Sequence, residues 1–414
     1  MIAGLPERRF ALLMAAIFVA ALGFRICIRL VVGTQNYWID GYGQYASLGQ
    51  SLCAGSGYAF PGGLPTAFRV PLYSYLVAAT TCGVASPWPL ILAQALASSA
   101  TALLAGLIAR RMAGNAAGLL AAAIYALWPY AAWHDLSLQE SGLQAFMAAL
   151  VTWQLILLRD KGGAMRALGA GIVLGLLLLT RATMLPFALC ALGIASFPYR
   201  GKARLVSALI AGAAMLAVLS PWLVYSHRVT GAYGLGTEGG ASLYAGNHPL
   251  TFSVYPVGTI DESRTNVFAA LSAAENSELA KLGGDEVATS DWYRNRAIHN
   301  IAADPAAFIG GAFRKLWAAF GPLPTPRHGL RGSLAYAAGW VPFFALALAG
   351  MWQRRRVWRE DMLLHAHTVT FCATTALFWA QTSHRSYLDP YLAVFAAVAL
   401  IALTPKRMQN SRDS

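Results

Sequence analysis

The sequence predicts an all-α polytopic membrane protein: one integral membrane domain over residues 1–414, with about ten transmembrane segments and helices lying at the outer membrane surface between them. Three observations predict it. Of the residues, 57% are hydrophobic and 12% charged, where a soluble domain is roughly 45–50% apolar and about a quarter charged. The apolar residues fall in runs near the ~20 residues a helix needs to cross a bilayer. The short loops at alternate ends of these runs are basic. An ordinary cytosolic enzyme, a disordered chain and a disulfide-built secreted module are thereby excluded. The net charge of +13 would suggest nucleic acid in a soluble protein; here it marks the cytoplasmic side, and no nucleic-acid partner is expected.

The first run, 10–32, follows Arg8-Arg9. It is too long for a signal-peptide core and lacks a small-residue cleavage site, so it reads as a retained helix. Further spans follow at 88–109, 116–133, 142–158, 205–225, 334–352, 362–380 and 387–403. The run 168–197 is too long for one span, and Arg181 and Pro186 sit near its middle. It reads as two short helices meeting at Arg181, a broken hairpin dipping in from the cytoplasm. With the N-terminus inside, the inner loops and ends collect seventeen of the 31 basic residues, as the positive-inside rule requires. The stretch 71–84 is too short to span and reads as interfacial or re-entrant.

Two outer loops are long. The first, 33–87, carries juxtamembrane helices. The second, 226–332, is too large for a connector and shows helical patterns at 263–281, 285–303 and 306–320. The last of these opens on Asp304-Pro305, a cap followed by proline at the first helical position. Residues 404–414 form a cytoplasmic tail. Cys53 and Cys82 lie on the outer side, where a disulfide between them is one option and free thiols the other. His365 and His367 are two apart on a helix and face different ways. No P-loop or dinucleotide fingerprint occurs. No ligand cage supports a metal, so a divalent ion stays open and unassigned.

In such a chain the informative residues are charges held against the apolar region. On the outer side these are Asp40, Arg69, Glu140, Arg181 and His384-Arg385. Together they suit transfer from a lipid phosphate: a carboxylate deprotonates an acceptor hydroxyl, and arginines hold the phosphate and stabilise its leaving charge. Each also has a plainer role. Asp40 and Glu140 suit helix N-termini, Arg181 a helix end or outward snorkelling, Arg69 bulk lipid headgroups, His384-Arg385 an interfacial anchor, and Asn247-His248 a turn. Arg25 and Arg29 share one face of the first helix and call for acids within the bundle or snorkelling.

The pattern Asp40-x4-Tyr45 with Gly55-x-Gly57-Tyr58, then Arg69-x-Pro71-Leu72-Tyr73, resembles the first outer loop of the GT-C superfamily of membrane glycosyltransferases. Bacterial protein O-mannosyltransferase-like and aminoarabinose-transferase-like members are the nearer relatives. Ser137-Leu138-Gln139-Glu140, Leu179-Thr180-Arg181, Pro221-Trp222 with Arg228, Gly246-Asn247-His248-Pro249, 305–315, and Ser383-His384-Arg385 with Asp389-Pro390 resemble further family segments in order. The resemblance implies a GT-C-like bundle that moves a sugar from a polyprenyl-phosphate donor to a hydroxyl on lipid, glycan or protein, with inversion. It implies a multi-pass protein of the bacterial inner membrane, both termini cytoplasmic and the site on the periplasmic face. It assigns Asp40 and Glu140 to catalysis, and Arg69, Arg181, His384 and Arg385 to the donor phosphate. Tyr45, Tyr58, Asn247 and His248 go to the substrate pocket. Asp40 is followed by Gly41, where many members carry a second acidic residue. A lipid-linked-sugar flippase and a non-catalytic subunit of an envelope assembly are the alternatives.

Overall fold

The structure, a computed structural model, describes residues 5–39, 41–196, 202–327 and 329–403. Asp40 and the tail 404–414 lie outside them. Among the described residues the secondary structure is helical, apart from two isolated bridges, Gly41 to Leu138 and Ala59 to Pro65.

Helix α1 (Glu7–Val32) is the first predicted span and buries Phe10, Met14, Ala21, Arg25 and Arg29. The first outer loop holds two short helices, α2 (Gly43–Cys53) and α3 (Leu72–Thr81), joined at their C-terminal ends by a Cys53–Cys82 disulfide. Next, α4 (Trp88–Ala126) runs 39 residues but is broken at Ala113-Gly114, where Gly114 takes φ 83°. Its two arms are the spans read at 88–109 and 116–133, folded onto each other. They touch at Gly106 and Gly118, where a Cβ would lie 2.9 and 2.8 Å from the other's carbonyl oxygen. The second arm stops at Ala126, short of the expected Trp133. Pro129 disfavours helix in the residue before it and opens a separate turn, α5 (Pro129–Asp135).

Helix α6 (Ser141–Lys161) follows, then the hairpin expected at Arg181. Its arms are α7 (Ala164–Thr180) and α8 (Leu185–Ser196), with Arg181 extended between them at φ −154°, ψ 113°. Helix α9 (Lys202–Thr230) packs on α7 through glycines. A Cβ on Gly171 would lie 2.2 Å from the Ala211 carbonyl oxygen, so only a bare backbone permits the approach.

The described part of the large loop carries α10 (Gly239–Gly246), α11 (Ile260–Ala269), α12 (Ala273–Lys281), α13 (Glu286–Ala303) and α14 (Pro305–Phe320). The single helix expected at 263–281 is two, because Ser272 and Glu275 form a capping box that starts a new helix. The Asp304 cap is present, accepting from the Ala307 N–H at 2.8 Å. The chain ends in α15 (Leu330–Gln353), α16 (Met362–Leu377), α17 (Thr382–Arg385) and α18 (Asp389–Leu403). Helix α18 is apolar all round, buries every residue from Asp389 to Ala399, and packs against α4 and α15.

Among the described residues, six helical elements are long and apolar enough to cross a membrane. Of the remaining predicted segments, α7, α8 and α16 have 17, 12 and 16 residues. The protein is therefore a multi-pass membrane protein.

Candidate functional site

A cavity of about 370 Å³ opens where the first outer loop, the α5–α6 junction, the α7–α8 break, the α9–α10 segment, α11 and the α16–α17 turn meet. Its position follows from local sequence. Gly41 takes φ 109° and pairs with Leu138, where a Cβ would lie 2.6 Å from the Leu138 carbonyl oxygen. No side chain fits there. The Tyr42 N–H donates to the same carbonyl at 2.9 Å, so the segment after Asp40 runs beside the one before Glu140. The Gln94 amide steadies the other side, donating to the Ser137 carbonyl at 2.8 Å.

At this end Glu140 is 3% exposed. Its Oε1 lies 3.1 Å from Arg181 Nη1, which also donates to Gln144 Oε1 at 3.2 Å. The other carboxylate oxygen, Oε2, is buried and has no hydrogen-bond partner among the described residues. The broken hairpin delivers Arg181, because a residue in extended conformation between two helices turns its side chain out of both. His384, from α17, is buried and lies with Nε2 2.8 Å from the Tyr42 hydroxyl.

Arg69 lies between the two ends. Its guanidinium sits 5.0 Å from the Tyr42 ring centre and 5.2 Å from that of Tyr45, and its Nη2 is 2.9 Å from Glu238 Oε1. The same oxygen accepts from Arg264 Nη1 at 3.1 Å. Burial pushes the Glu238 carboxyl up, but the Arg69 and Arg264 guanidiniums together outweigh it and hold it below the usual carboxylate range. Asp261, 3.7 Å from Arg264, goes the other way: burial raises it more than the arginines lower it.

The structure thus brings Glu140, Arg69, Arg181, His384 and Tyr45 to one cavity. Other expected residues stand elsewhere. Arg385 is fully buried behind the cavity, 3.5 Å from Asp389 and 3.4 Å from the centre of the Trp340 ring, because the turn into α18 points it into the bundle. Tyr58 supports Arg69 from behind, its hydroxyl donating to the Arg69 and Val70 carbonyls at 3.1 and 3.3 Å. Asn247 and His248 form a turn. The Asn247 amide donates to the Leu377 carbonyl at 2.7 Å, and His248 Nδ1 accepts from the Leu250 N–H at 3.1 Å.

Sequence reasoning missed Tyr42, Glu238, Asp261, Arg264 and Trp379, which also line the cavity. A signal existed for Glu238 in Gly234-Leu235-Gly236-Thr237-Glu238-Gly239-Gly240. The glycines are required there: a Cβ on Gly236 would lie 2.9 Å from the Phe68 carbonyl oxygen, and one on Gly240 1.8 Å from that of Ser290. Arg25 also finds its acid. It is fully buried 3.8 Å from Asp135, donates to Ser98 Oγ at 2.6 Å, and so anchors the α5–α6 junction that carries Glu140. Among the described residues no group of three or more His, Cys, Asp or Glu side chains is placed to hold a metal ion.

Residues 68–225 match the family described as dolichyl-phosphate-mannose-protein mannosyltransferase. No curated protein matches the chain by sequence. Among solved structures, the archaeal oligosaccharyltransferase AglB from Archaeoglobus fulgidus, in complex with an inhibitory peptide and a dolichol-phosphate, aligns over 94% of this chain at 16% identity and TM-score 0.55. The Archaeoglobus fulgidus oligosaccharyltransferase in complex with Zn and sulfate aligns over 95% at 15% identity and TM-score 0.54. The chain covers 50% of each of these proteins. At such identity the likeness is one of fold.

Proposed function

We propose that this chain, which shares its fold with the archaeal oligosaccharyltransferase, is a GT-C membrane glycosyltransferase that moves a sugar from a polyprenyl-phosphate donor to a hydroxyl on lipid, glycan or protein. The observation that carries the reading is the buried, half-satisfied Glu140 carboxylate beside Arg181 in a cavity shared with Arg69 and His384. A glycosyl phosphate needs a cation for its leaving oxygens and a base for the acceptor proton, and these residues supply both. A guanidinium carries five N–H donors, so Arg181 keeps Gln144 and Glu140 while others meet phosphate. Leu185, Pro186, Leu377 and Phe378 form an apolar wall suited to the first prenyl units.

In this reading the acceptor hydroxyl attacks the anomeric carbon, a carboxylate takes its proton, and the bond to the phosphate oxygen breaks, with inversion in one displacement. Glu140 and Asp40 are the two candidates for the base, and the pairing of Gly41 with Leu138 supports their acting at one place. The dolichol-phosphate of the archaeal neighbour supports the donor class. The basic loops support a site on the outer face of a bacterial inner membrane, with the N-terminus inside. In the test, purified protein is given a polyprenyl-phosphate sugar labelled in the lipid, and free polyprenyl phosphate is measured. Asp40→Asn combined with Glu140→Gln is expected to reduce release at least about a hundredfold, the scale of general-base catalysis. Undiminished release would overturn the base assignment; no release by the wild type from any sugar donor would overturn the activity.

A further inference from the structure

The phosphate and base account for one end of the cavity, around Glu140 and Arg181. Two pieces of the lining, α11 and the turn that leads from α16 into α17, have no part in that chemistry. There Arg264 lies over the indole of Trp379, 5.1 Å from its centre. The Trp379 indole N–H is buried without a hydrogen-bond partner among the described residues. Asp261 pairs with Arg264 at 3.7 Å, its side chain 28% exposed. This part of the lining therefore offers a partly exposed carboxylate, an unpartnered N–H donor and an aromatic ring.

That combination matches a saccharide ring. Hydroxyls donate to a carboxylate and accept from an N–H, while the C–H face of the ring packs on an indole. We infer that Asp261, Arg264 and Trp379 form the sugar subsite, gripping the sugar ring of the donor while Arg69 and Arg181 hold its phosphate. The inference rests on the proposed sugar transfer, and separates the donor into a phosphate end and a sugar end read by different residues.

Two probes separate the ends: a polyprenyl-phosphate hexose and bare polyprenyl phosphate, each titrated against the purified full chain. The wild type is expected to bind the hexose-bearing lipid more tightly. Asp261→Asn should weaken that binding about tenfold, the loss of one hydrogen bond to a charged group, and leave bare polyprenyl phosphate within about twofold. Trp379→Phe keeps a ring and removes the N–H, and should show the same split even where Asp261→Asn fails to fold. Arg181→Gln should weaken both probes alike. Equal loss for both probes in Asp261→Asn and Trp379→Phe, no loss for either, or equal wild-type affinity for the two lipids would overturn the subsite. A wild type that binds neither lipid would overturn the sugar-transfer reading instead.

Discussion

Glu238→Gln tests how Arg69 is held. Glu238 Oε1 accepts from Arg69 at 2.9 Å and from Arg264 at 3.1 Å, and the three side chains are 20%, 13% and 19% exposed. Hydrogen bonds to a charged group contribute ~1.5–3 kcal/mol and neutral ones ~0.5–1.5 kcal/mol. Exchanging two of the first kind for two of the second costs about 2–3 kcal/mol, with the upper half reduced by partial solvent screening. Because the arginines hold the folded-state carboxyl below the ordinary value of about 4.3, this stabilisation is fully present above that value. It is lost as pH falls through the depressed folded-state value. Thermal unfolding in detergent across pH 3–7 is the assay. The wild type should lose stability steeply at the acid end, and Glu238→Gln should start lower and lack that step. Turnover should fall about tenfold as Arg69 loses its anchor. Coincident pH–stability curves for the two proteins would refute the argument that Glu238 is a charged strut.

Two further outcomes are expected. Arg25→Met leaves Asp135 buried without its cation, and should destabilise the protein by ~3–5 kcal/mol in chemical denaturation; the double change with Asp135→Leu should recover much of it. Replacing Cys53 and Cys82 by serine opens a crosslink across 29 residues and should lower stability by about 3–4 kcal/mol on the chain-entropy model, read as a lower melting temperature without reductant and none of the wild type's sensitivity to it.

The parts legible in the sequence were those written in local pattern. Apolar runs gave the spanning helices, a charge and a proline inside an overlong run gave the hairpin at Arg181, and Asp304-Pro305 gave the start of α14. Glu140, Arg69, Arg181 and His384 were found because a charge beside apolar sequence is costly wherever it lies. What stayed hidden depends on rotation and distance. Arg385 adjoins His384 in sequence, yet a helical turn sends one to the cavity and the other to Trp340. Asp261 and Arg264 sit among ordinary polar residues of a surface helix, and only the fold carries them to Arg69, nearly two hundred positions earlier.

The burial of α18 has a consequence for biogenesis. This helix fills the middle of the bundle between α4 and α15, yet it is synthesised after all of them. Until it inserts, α4 and α15 lack the apolar helix that each packs against. Every residue that lines the cavity precedes Asp389, so a chain stalled there would carry the whole lining on a bundle still open between α4 and α15.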